Sequence, residues 1–137
     1  MSSDAFHPIV ARVEHIALAT NDAERLCEFY LLLGAMASPV ARDPGAGVRG
    51  RVLDFCGVGL ELFEQPGRRP GVAGGALAPG FVHLGFALGS ADSVDELTRV
   101  IAAAGHRVIE GPHRAGGLGG YESVVLDPDG NRVRLTV

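Results

Sequence analysis

At 137 residues the chain is long enough for one well-buried core and too short for two independent domains of ordinary size. Hydrophobic residues make up 47% and charged ones 20%, the balance of a globular domain and not of a disordered one. A net charge of -4 supplies no basic stripe for a phosphate backbone, so no nucleic-acid partner is expected.

Residues 1–8 carry no basic stretch followed by an apolar core, and no later apolar run reaches the length of a membrane span. A cytoplasmic protein without membrane contact is expected. The first strand is expected at 13–19, with His15 at its third position. A helix follows, because Leu26, Phe29, Tyr30 and Leu33 recur at i, i+3, i+4 and i+7. Asn21 is its expected N-cap, with Glu24 three residues on, and Gly34 its left-handed stop. Short strands are then expected at 35–41, 51–55 and 60–64, the last two joined by a turn at Gly57-Val58-Gly59, with a loop at 44–50. Cys27 and Cys56 have no metal-ligand spacing and read as reduced packing residues. The stretch 66–80 has no period and many breakers, so it reads as a linker.

The same order then repeats. A strand at 81–87 again carries a histidine, His83, at its third position. Val94, Leu97, Ile101 and Ala104 form a second helical stripe, with Ser93 as expected cap, Glu96 three residues on and Gly105 as stop. Strands at 106–110, 121–126 and 132–137 complete the half, the last pair turning at Asp127-Pro128-Asp129-Gly130-Asn131. The glycine-rich stretch 111–120 lacks the lysine of a phosphate loop and reads as a loop near a cavity mouth. His106 and His113 stand where solvated histidines are common and receive no role. This self-similarity predicts an α+β fold of two βαβββ modules in tandem, at about 11–65 and 81–137, forming a curved mixed sheet around one cavity.

Alternation along the strands sorts the polar residues. Ile16 and Leu18 suit the helix-covered face and leave His15, Ala17 and Ala19 on the other; Val82, Leu84 and Phe86 leave Phe81, His83, Gly85 and Ala87. Glu61 lies between two helix-facing leucines and joins the histidines, while Val133 and Leu135 bury and turn Arg132, Arg134 and Thr136 inward. Two imidazoles and one carboxylate, His15, His83 and Glu61, make a donor set for a divalent metal that keeps positions open. Arg134 reads either as a salt-bridge partner of Glu61 or as a fork for a carboxylate or phosphate on a ligand. Tyr121 is expected to line the cavity mouth or to cap a backbone group. Whether Glu122 points inward depends on hairpin register.

These features resemble the vicinal oxygen chelate superfamily of glyoxalases, fosfomycin- and bleomycin-resistance proteins, methylmalonyl-CoA epimerases and extradiol dioxygenases. The carriers are 13–19, Glu28-Phe29-Tyr30 to Gly34, Leu60-Glu61-Leu62, Val82-His83-Leu84 and Asp127-Pro128-Asp129-Gly130-Asn131, which together span nearly the whole chain. The stretch 120–126 also looks like a group of uncharacterised bacterial glyoxalase-like proteins. Resemblance to glyoxalase I places His15, Glu61 and His83 at the first three metal-ligand positions. The fourth, a glutamate in that pattern, falls on Arg134, whose guanidinium cannot ligate a cation. The resemblance implies a lyase or isomerase that acts on a small molecule with vicinal oxygens, with nickel, zinc, manganese or iron as Lewis acid. The missing glutamate is the one that resembles the proton-transfer residue, and Glu122 is the expected catalytic substitute. Two other readings stay open: a non-catalytic binding protein that sequesters a drug or metabolite, and an iron-dependent dioxygenase. A homodimer is expected, since members often dimerise and exchange modules.

Overall fold

A computed structural model describes residues 9–38, 42–45, 48–64, 81–115 and 120–137. The first module runs β1 (His15–Thr20), α1 (Ala23–Leu31), β2 (Met36–Ala37), β3 (Arg42–Gly45), β4 (Val48–Phe55) and β5 (Val58–Glu64). In the second come β6 (Leu84–Ala87), α2 (Ala91–Ala103), β7 (Val108–Arg114), β8 (Tyr121–Leu126) and β9 (Arg132–Thr136). The strands form two mixed sheets, ordered β1-β5-β4-β2 with β3 on β4, and β6-β9-β8-β7. In each, the opening strand pairs parallel to the closing one, β1 with β5 and β6 with β9. The expected tandem βαβββ architecture is therefore present, as two open sheets each backed by one helix. The linker expected at 66–80 lies outside the described residues, as do 116–119 of the glycine-rich stretch. No described helix is long and apolar enough to cross a membrane.

Each helix forms where its apolar stripe can be buried. Leu26, Phe29 and Tyr30 of α1 and Val94 and Ile101 of α2 are fully buried against Leu53, Leu62, Val125, Val133 and Leu135. Thr98, not Ala104, takes the remaining inner place of α2, because its hydroxyl is satisfied by the Val94 carbonyl at 2.5 Å and Ser123 Oγ at 2.7 Å. Ala104 is exposed. The caps also differ from expectation. Asp22 caps α1, accepting from the Arg25 N–H at 3.1 Å, and Ser90 caps α2, accepting from Ser93 N–H at 3.1 Å. Both neighbourhoods hold two residues able to cap; relative to expectation α1 starts one residue later and α2 three residues earlier. Gly34 and Gly105 stop the helices at positive φ as expected.

The β4–β5 turn is shorter than expected: Phe55 pairs with Val58, leaving Cys56 and Gly57 as a two-residue turn at φ 51 and 98. Cys56 is therefore exposed in a turn, and only Cys27 is a packing residue. Residues 44–50 are not simply a loop either, since β3 and β4 pair across them.

The modules meet through their helix-covered sides. Tyr30 stacks near Phe86, Phe55 lies 4.9 Å from Phe86 and Phe29 meets His106 edge-on at 4.9 Å, centroid to centroid. The Tyr30 hydroxyl donates to Asp127 Oδ2 at 2.7 Å, tying α1 to the last turn of the second module. Asp127 also accepts from the N–H groups of Asp129 and Asn131 and from the Asn131 side chain. Burial pushes the Tyr30 hydroxyl up, and it raises Asp127 above the usual carboxylate range despite those donors.

Candidate functional site

Two parallel strands build the first polar group. His15 stands beside Gly59 in the register and Ala17 beside Glu61, which puts His15 and Glu61 on the same face, away from α1. His15 Nε2 lies 3.1 Å from Glu61 Oε2, and its Nδ1 lies 3.2 Å from Glu14. Gly59 makes the approach possible: a Cβ there would come within 3.2 Å of the His15 Cβ. Ile16 and Leu18 pack into the core, so alternation sorted this strand as expected.

The second group stands on the open face of the other sheet. Tyr121 and Ser123 reach α2 and Val125 is fully buried in the core, so Glu122 and Val124 face the other way. Hairpin register thus turns Glu122 to the same side as Arg134, which lies opposite Val124. The two side chains form an ion pair through Arg134 Nη2 and Glu122 Oε1. Arg134 therefore meets Glu122 and not Glu61, the salt-bridge partner that strand alternation suggests. Tyr121 donates its hydroxyl to Asp95 at 2.5 Å on the helix side, and that bond holds its phenol above the ordinary tyrosine range.

His83 stands apart from both groups, exposed just before β6. It lines a cavity of about 530 Å³ with Ile16, Leu33, Phe55, Phe81 and Phe86, between β6 and the first sheet. Glu61, Glu122 and Arg134 are not among the residues that line it.

Of the three donors that the structure gathers most closely, the sequence singles out only Glu122, and as a proton-transfer residue. Glu110 and His113 of β7 and Glu122 of β8 hold ligand atoms within 4.8 Å of one another, the one such three-residue set among the described residues. Residues three apart on a regular strand point to opposite faces, which hid the relation. The available signal was Gly111-Pro112 between them, a pair that marks a bulge when it falls inside a strand.

The sequence model of the Glyoxalase/Bleomycin resistance protein/Dioxygenase superfamily matches residues 12–135. No curated protein matches the chain. Among solved structures, a glyoxylase/bleomycin resistance protein/dioxygenase domain from Frankia is similar with a TM-score of 0.79 and 20% identity, over 94% of this chain and 98% of that one. A glyoxalase/dioxygenase from Nostoc punctiforme is similar at 0.70 and 22%, over 94% and 95%. A glyoxalase I mutant from Zea mays is similar at 0.72 and 22%, over 91% of this chain and 44% of that one. Likeness at such identities speaks for the fold alone.

Proposed function

The chain belongs to the Glyoxalase/Bleomycin resistance protein/Dioxygenase superfamily, and from that premise we propose that it is a metal-dependent lyase or isomerase of glyoxalase type, acting on a small molecule with vicinal oxygens. The observation that carries this reading is the contact between His15 and Glu61, an imidazole and a carboxylate 3.1 Å apart on an open sheet face. Both are donors that a divalent ion accepts. His83 is the proposed third donor, from the equivalent place in the second module, and Arg134 takes no part in holding the ion. A bound divalent ion supplies Lewis-acid polarisation of adjacent oxygens. The chain's own residues do the rest: Glu122 fixes the Arg134 guanidinium, and Arg134 meets an anionic group of the substrate with its planar fork.

The donors of this reading stand on two separate sheets. Among the described residues nothing pairs with the outer edges of β1 and β6. Phe81 is 91% exposed and Val82 47% beside the β6 edge. We place a second copy of the chain across these faces, so that the working unit is a homodimer.

Hemithioacetal isomerisation, assayed on protein stripped by a chelator and reloaded with nickel, zinc, manganese or iron, tests the proposal. Activity should vanish on stripping and return with at least one ion, and His15→Ala should lower it about 100-fold or more. Turnover indifferent to both metal and His15 would overturn it. A second reading, a non-catalytic protein that sequesters a ligand, is favoured by the apolar lining of the cavity. Its mark is tight binding of an apolar compound without turnover under any metal.

A further inference from the structure

The cluster of Glu110, His113 and Glu122 belongs neither to the His15–Glu61 pair nor to the positions that the family pattern reserves for metal. Strand alternation cannot produce it, because residues 110 and 113 would fall on opposite faces. β7 shifts its register twice, between Val108 and Glu110 and again between Glu110 and His113. As a result Glu110 stands opposite Val124 and His113 opposite Glu122, on the open face where Arg134 also lies. A bulge that re-aims side chains in this way is a built feature of a strand.

The chemistry of the three residues points the same way. His113 Nδ1 lies 2.8 Å from the Gly111 carbonyl oxygen, which can only accept. The proton therefore sits on Nδ1 and leaves the Nε2 lone pair free, which is the tautomer of a metal-binding imidazole fixed by a backbone carbonyl. Glu122 is only 7% exposed, a costly place for a charge without a counter-charge. Arg134 engages its Oε1, and its second oxygen remains for another cation. Glu110 brings a second carboxylate, so the cluster sets two negative charges against one guanidinium.

We propose that Glu110, His113 and Glu122 form a divalent-cation site of their own, separate from the His15–Glu61 pair. Two carboxylates and one imidazole suit a borderline ion such as zinc or manganese, with further positions left to water or an oxygen ligand. The site is reached from solvent, since Glu110 and His113 are exposed on an edge strand.

Calorimetric titration of the full chain with zinc alone, beside His113→Ala, Glu110→Gln and His15→Ala, tests this. His113→Ala and Glu110→Gln should each weaken one binding event about tenfold or more, and that event should persist in His15→Ala. Both altered residues are exposed, and unchanged thermal unfolding without metal would establish that the variants fold. With manganese as probe, the ring protons of His113 should broaden in the NMR spectrum. Zinc binding unaltered by both His113→Ala and Glu110→Gln overturns the site. Failure of the proposed catalytic centre has a different signature: a single zinc event that His15→Ala leaves intact and His113→Ala removes.

Discussion

At the scale of single residues, the contact that most constrains the molecule joins Tyr30 to Asp127 across 97 positions of sequence. Both residues lie in motifs that the sequence displays, the Phe29-Tyr30 helix and the Asp127 turn. No local pattern says that they touch, because periodicity reports which face a residue occupies and not what it meets there. Burial holds the folded-state pKa of Asp127 above its ordinary value of 3.8. The stabilisation linked to its protonated form is complete below that ordinary value and is lost as pH rises through the raised one. Tyr30→Phe removes a donor to the ionised carboxylate and leaves the charge less compensated. Its cost should therefore be about 1.5–3 kcal/mol at pH 7 and distinctly less near pH 4. Denaturant unfolding at the two pH values measures it, and an equal loss at both would contradict the role given to the carboxylate.

At the scale of elements, strands and helices were legible wherever one side is buried and the other is not. β9, buried at every second residue, occupies Arg132–Thr136 of the expected 132–137, and both glycine stops fall where the sequence put them. The ends were less legible, since Asn21 competes with Asp22 and Ser93 with Ser90 for the same capping task. Irregular strands were least legible: β7 departs from a period of two, and its bulges set Glu110 and His113 together. The β4–β5 hairpin is a similar case. Two residues at φ 51 and 98 match the mirror-image turn that suits twisted strands, and the first of them is a cysteine. Asparagine tolerates this region better than most side chains, and it sits before Gly57 in the preferred pair. Cys56→Asn should stabilise the protein by about 0.5–1 kcal/mol, read as a rise in the midpoint of thermal unfolding. A lower midpoint would show that the thiol matters to the cavity it lines.

At the scale of the whole molecule, the repeat was legible and the way its halves meet was not. Duplicate strands at His15 and His83 announced two modules, yet nothing in the pattern said that the helix-covered sides would pack together. One apolar cluster contains Leu26, Phe29 and Tyr30 from the first module and Val94, Ile101 and Val125 from the second. We expect the modules to unfold as one unit, because separation would expose that cluster and orphan Asp127. Calorimetry should record a single transition, and two resolved transitions would show that each half is stable by itself.

The packing that joins the modules turns their other sheet faces away from each other, with His15 and Glu61 on one sheet and Glu122 and Arg134 on the other. If a second copy of the chain brings such faces together, each working centre is made by an encounter and not by folding alone. Activity per molecule would then rise with abundance until the dimer is saturated. A cell that makes twice as much of the protein would, below that point, gain more than twice the turnover. Expression level would act as a control on the chemistry itself, without any separate regulator.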